Sequence, residues 1–396
     1  MPVINRIAEF HADMAAWRQD LHRHPELALQ EVRTSGVVQE RLRSFGVDEI
    51  ITGIARTGVV WVIRGRGPGR GEGDAIGLRA DMDALPIHEQ TGRDYASQTP
   101  GVMHACGHDG HTAMLLGAAK YLAETRNFDG TVYVIFQPAE EGLAGGEIMV
   151  KEGLFQRCPM RMVFGLHNWP PAPAGGFLWR RGPMMAAVAN IEINITGRGA
   201  HGAHPYRGVD PIVVAAQIIN ALQTVVSRSI EAVESGVVTI GHISGGHIHN
   251  VIPETVRMLG TARWFAPHVG ARLEAGVRKL ATGIAESFGA QAEVVFDHAY
   301  PPVVNDAEAT DLAIRAAQAV AGEARVSVME KPTMGGEDFA FMLAAKQGSY
   351  IMLGSGRGDD AMPHHPQYDF NDDVLTVGAS YWATLAEQVL GQRGDG

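Results

Sequence analysis

Residues 75–83 read Ala75-Ile76-Gly77-Leu78-Arg79-Ala80-Asp81-Met82-Asp83, a short apolar run that ends in two carboxylates. A run of this length without polar alternation predicts a strand at 75–80, buried on both faces. The same design returns twice. Strand 131–137 (Thr131-Val132-Tyr133-Val134-Ile135-Phe136-Gln137) leads through Pro138-Ala139 to Glu140-Glu141, and strand 161–166 leads to His167. Helical stretches are expected between them, at 111–125 and, shorter, near 145–153. Apolar strands alternating with helices give an α/β fold, a mostly parallel sheet with helices on both faces. The C-terminal ends of parallel strands share one rim, where open α/β folds bind ligands. Asp81, Asp83, Glu140, Glu141 and His167 are therefore expected on a common rim.

Upstream, helices are expected at 5–23 and 31–45 and a strand at 58–64. The Gly-rich loop 65–73 is followed by a strand and not a helix, so it offers no helix N-terminus to an anion and reads as a turn. Downstream of the Pro/Gly-rich loop 169–183 the pattern changes. Strand 188–196 alternates through Ile191, Ile193 and Ile195, as a sheet with one wet face does. Helix 211–230 follows, with Asp210 as N-cap and Pro211 at its first position. Strands 236–243 and 255–265, helix 269–288 and strand 291–298 complete a β-α-β-β-α-β order, that of an α+β ferredoxin-like domain. Helix 306–321, strand 349–353 and helix 373–390 resume the first pattern. The expected organisation is a discontinuous α/β domain, 1–186 and 300–396, interrupted by an inserted domain at 187–299.

The chain has 396 residues, too many for one ordinary core. Its 33 Lys and Arg against 44 Asp and Glu give a net charge of −11, the wrong sign for a phosphate-tracking surface, so no nucleic-acid partner is expected. The two cysteines, Cys106 and Cys158, are too few for a disulfide scaffold and fit a reducing compartment. Glu9, Asp13, Asp20 and Glu26 interrupt the first thirty residues, which do not read as a signal peptide, and no uninterrupted apolar run approaches a membrane span. A cytoplasmic protein with no membrane role is expected.

The segment from Met103 to His111 contains Cys106-Gly107-His108, a thiol and an imidazole two residues apart on a glycine-flexed loop before the apolar helix. Both types ligate first-row metals. Alone the pair is weak, since a buried free cysteine is usually a small hydrophobe; beside three ligand-bearing strand ends it gains weight. Adjacent Glu140 and Glu141 are ordinarily an exposed acidic turn. Their functional reading divides the work: one carboxylate ligates metal and the other takes a proton from water. His364 and His365, in Pro363-His364-His365-Pro366, form a second histidine loop or a surface turn.

With Gly165-Leu166-His167-Asn168 and Met334-Gly335-Gly336-Glu337-Asp338-Phe339, these motifs follow one another in an order that resembles a known family. It is that of the dinuclear metallo-amidohydrolases, which include hippurate hydrolase, indoleacetyl-amino acid hydrolase and N-acetyl-diaminopimelate deacetylase. They form a branch of the aminoacylase and carboxypeptidase G2 superfamily. The resemblance implies metal ligands at Cys106, His108, Glu141, His167 and His364, with Glu140 as general base. It implies two divalent ions per subunit, of Zn, Mn, Ni or Co. Asp83 takes the place of the superfamily's catalytic aspartate, which elsewhere orients a histidine two residues earlier. That position is Asp81 here, so Asp83 either orients another ligand or braces the loop. In the inserted domain the resemblance gives His201 contact with the substrate carbonyl from a partner subunit, and makes Asn250 and Arg263 carboxylate binders. His201 also reads as a turn residue and Arg263 as an edge-strand charge.

The implied activity is hydrolysis of the amide bond of an N-acyl amino acid, a small-molecule substrate, by a homodimer or dimer-based oligomer. A metallo-dipeptidase or carboxypeptidase on the same scaffold is the alternative. A ligand-binding protein on a dead scaffold would lack the base or a ligand, and all six of those residues are present.

Overall fold

The computed structural model describes residues 3–46, 48–67, 69 and 74–391. The chain divides into two compact units. One comprises the chain up to Met184, Val303–Pro332 and the chain from Asp338 on; the other comprises Met185–Pro302 and Thr333–Glu337.

In the first unit all seven residues of Ala75–Asp81 are buried, as are all but the first of Thr131–Gln137. These two strands pair in parallel, and Met162–Pro173 and Gln347–Gly356 continue the parallel centre of an eight-stranded sheet. From edge to edge the order is Glu49–Ile54, Gly58–Arg64, Thr131–Gln137, Ala75–Asp81, Met162–Pro173, Gln347–Gly356, Phe177–Trp179 and Val326–Val328. Antiparallel pairings are confined to the flanks. Ile76, Leu78, Ala80, Val134 and Phe164 share one core with helices His108–Thr125 and Leu375–Val389. Successive strand residues point to opposite faces. Arg79 and Gly165 accordingly meet the ring of Phe339, which opens helix Phe339–Ala345 on the other face.

Several elements differ from their expected bounds. The first helix is two, Asn5–Ala8 and His11–Arg23. The strand expected at 161–166 runs on to Pro173, so His167 lies within it. The helix expected from 111 starts at His108. Of the Gly-rich loop, positions 68 and 70–73 lie outside the described residues.

The second unit has a four-stranded antiparallel sheet, in the order Gly236–Ser244, Thr255–Trp264, Ala187–Thr196, Gln291–Tyr300. Ile191, Ile193 and Ile195 are buried under helices Pro211–Ser229 and Pro267–Ser287. The Asp210 carboxylate caps the first helix by accepting from Ile212 N at 2.9 Å. That helix is long and apolar enough to cross a membrane. Gln217, Asn220 and Gln223 interrupt it, however, and Val214, Ile218, Leu222 and Val225 belong to this unit's core.

Candidate active site

Three turns through positive φ bring the candidate ligands to the strand rim. Gly107, at φ 98°, starts helix His108–Thr125 and projects His108 and His111 from its first turn. Ala139, at φ 57°, turns the chain after Thr131–Gln137, its N–H held by Glu31 Oε1 at 2.9 Å. His364 is itself left-handed at φ 69°, and its N–H donates to Ala105 O at 2.7 Å, tying its loop to that of Cys106. Non-glycine residues in this region typically cost about 1–3 kcal/mol and persist where surrounding structure holds them.

The donor atoms converge. Cys106 Sγ lies 3.4 Å from His167 Nε2. Glu141 Oε1 approaches His364 Nε2 to 3.1 Å without the direction of a hydrogen bond. Cys106, His108 and His167 form one group whose ligand atoms lie within 4.8 Å of each other, and Cys106, Glu141 and His364 form another, with Cys106 common to both. His108 Nε2 is buried and has no hydrogen-bond partner among the described residues. A buried nitrogen left open among a thiol, a carboxylate and two imidazoles fits a divalent metal.

The electrostatics agree. Burial, with His111 alongside, pushes the His167 imidazole down to about 3, leaving it neutral as a ligand must be. Burial and the nearby Glu141 raise the Cys106 thiol. The adjacent Cys106 sulfur, and after it the Glu141 carboxylate, raise His364 to about 10. Burial opposes charge on His108, but Asp81 and Cys106 outweigh it and hold its pKa above the ordinary value. The pocket draws positive charge, which a bound cation would supply in place of protons.

Asp83 touches both neighbours: its backbone carbonyl and Oδ1 lie 2.9 and 3.2 Å from His108 Nδ1, and its Oδ2 accepts from Glu141 N at 2.9 Å. Glu140 is buried, with Oε1 accepting from Asp338 N at 3.3 Å. His365 is turned to another use, its Nδ1 accepting from Gln367 N. His111 is not open to a ligand role, because Asp81 and Asn168 occupy its two nitrogens at 2.6 and 2.7 Å. Sequence motifs alone assign no role to Asn168 or Tyr368. They are joined at 2.7 Å, and the only hint was their position, one residue from His167 and four from His364.

Within the second unit, Ala200–His201 pairs with Val251–Ile252, and Gly202 N donates to Asn250 O at 2.7 Å, so His201 and Asn250 sit together and exposed. Neighbouring Gly202, His249 and Val251 line an open cleft of about 440 Å³. Arg263 lies apart from that pair in sequence, on strand Thr255–Trp264 opposite Val188 and Val237, where burial lowers its pKa.

A model of peptidase family M20/M25/M40 matches residues 77–388. Hippurate hydrolase of Campylobacter jejuni is 38% identical over 98% of this chain and 100% of its own. N-acetylcysteine deacetylase of Bacillus subtilis is 40% identical over 96% of this chain and 98% of its own. Among solved structures, a dinuclear metal-binding peptidase of the M20 family from Bacillus subtilis superposes with a TM-score of 0.82 at 37% identity, covering 97% of this chain and 99% of that one.

Proposed function

The chain belongs to peptidase family M20/M25/M40, and we infer that within it this protein hydrolyses the amide bond of N-acyl amino acids, releasing a carboxylic acid and a free amino acid. The convergence of Cys106, His108, Glu141, His167 and His364 donors around an open His108 Nε2 carries this reading. These five residues would hold two divalent ions, of Zn, Mn, Ni or Co. When bound, such a pair polarises a carbonyl and lowers the pKa of water.

The chain's own groups do the rest. Glu140 takes the proton of the attacking water and returns it to the leaving amine. Asp83 keeps His108 Nε2 and the Glu141 backbone in place. His201 donates to the oxyanion that forms at the scissile carbonyl, a kind of contact typically worth about 10²–10³ in rate. The Arg263 fork and Asn250 take the substrate's carboxylate. Residues 187–299 serve as lid and dimerisation domain, with His201 reaching a neighbouring subunit's site in a cytoplasmic homodimer.

The discriminating experiment is a panel of N-acyl amino acids bearing acetyl, benzoyl and indoleacetyl groups, set against dipeptides with a free amine. Preference for the acylated substrates is expected. Faster hydrolysis of the free-amine dipeptides would assign the chain to the dipeptidases instead.

A further inference from the structure

We propose that Asp81 is a positioning residue that holds both sides of the site at once, the ligand His167 through one carboxylate oxygen and the base Glu140 through the other. The roles of His167 and Glu140 rest on the amidohydrolase reading above. Asp81 and its partners Arg79, His111 and Asn168 are all 1% exposed or less. Asp81 Oδ1 meets His111 Nδ1 at 2.6 Å. His111 Nε2 meets Asn168 Oδ1 at 2.7 Å and the Asn168 backbone N at 3.1 Å. The Asn168 carbonyl accepts from His167 Nδ1 at 2.7 Å, which fixes that ring with Nε2 toward Cys106.

The second oxygen serves the other arm. Asp81 Oδ2 accepts from Arg79 Nη1 at 2.7 Å, and Arg79 Nη2 donates to Asp338 Oδ1 at 3.0 Å. Asp338 also accepts from Gln137 Nε2 and Gly146 N, and its own N–H reaches Glu140. An aspartate with a donor on each oxygen is rigid, and a rigid anion fixes the atoms bonded to it. Burial opposes its charge, and His108, Arg79 and His111 more than offset that, keeping it ionised. Asp81 is itself 3.8 Å from His108 Nε2, yet both its oxygens are already taken by protein donors, so it acts through His111 and Arg79.

The test is Asp81→Asn, which keeps the shape and puts an amide where one donor needs an acceptor. Metal affinity is measured by competition between a chelator and the protein for cobalt, with the visible absorption of the cobalt-loaded protein recorded alongside and folding checked by thermal melting. A loss of cobalt affinity of about tenfold or more and an altered absorption band are expected. At saturating cobalt, kcat on an N-acyl amino acid should fall while KM changes little. Native affinity and absorption in a folded Asp81→Asn protein would overturn the His167 arm, and native kcat the Glu140 arm. If that variant does not fold, His111→Gln cuts the same chain one link later. The same cobalt losses are expected there, and wild-type cobalt binding would sink the proposal. The cobalt readout uses no substrate, so it stands or falls separately from amide hydrolysis.

Discussion

Glu140 and Glu141 are adjacent yet meet different partners, Asp338 N at 3.3 Å and His364 Nε2 at 3.1 Å. Their substitutions should therefore separate. Glu140→Gln keeps its metal while kcat falls by about 10²–10⁴, and Glu141→Ala loses metal and activity together. Elemental analysis beside kcat checks both, and a fully loaded Glu140→Gln enzyme with near-native kcat would require another base. A second residue-scale prediction concerns pH. Burial opposes charge on His22, but hydrogen bonds to Asp109 and Glu89 raise it to about 9 from 6.5. Its folded pKa lies above its unfolded one, so its stabilisation is complete below pH 6.5 and is lost as pH rises through 9. A shift of this size corresponds to roughly 3 kcal/mol. Denaturant unfolding of wild type and His22→Gln at pH 6 and pH 10 should show the gap between them shrinking by that order. A gap independent of pH would mean that His22 is not charged in the fold.

At the scale of elements, Gly107 decides where the ligand-bearing helix begins. Its φ of 98° disfavours any other residue, and a Cβ would run into Asn168 Oδ1 and the Tyr368 hydroxyl. Gly107→Ala should cost about 1–3 kcal/mol in unfolding free energy and weaken metal binding; a neutral effect on both would show that the turn relaxes freely. Read from sequence, this helix starts three residues late, and for a physical reason. Apolar periodicity becomes continuous only after His111, while His108 and Asp109 are polar residues that the fold buries by pairing them with Asp83 and His22. The strand around His167 likewise reads as ending at Leu166, because the polar and proline residues beyond it suit a loop. Pairing with Gln347–Gly356 carries the strand onward. What was legible was local: apolar runs, the residues closing them, and the Cys106-Gly107-His108 spacing. The links of Asp81 to His111 and of Asn168 to Tyr368 join positions 30 and 200 residues apart, and no local pattern announces such partners.

For the whole molecule, the shared-site proposal gives a mixing experiment. His201→Ala and Glu140→Gln proteins, each inactive alone, should recover about a quarter of wild-type activity after subunit exchange in equal amounts, because each mixed dimer has one intact site. Verified exchange without recovery would confine His201 to its own chain. The measurement that bears most directly on the central claim is a metal titration of the chelated protein, following turnover of an N-acyl amino acid and bound metal in the same samples. The donor set around Cys106 predicts no turnover without metal. Activity should then rise with binding and level off at about two ions per chain, a behaviour that Cys106→Ala abolishes without unfolding the protein. Undiminished hydrolysis by the metal-free protein, or full metal-dependent activity in Cys106→Ala, would contradict it.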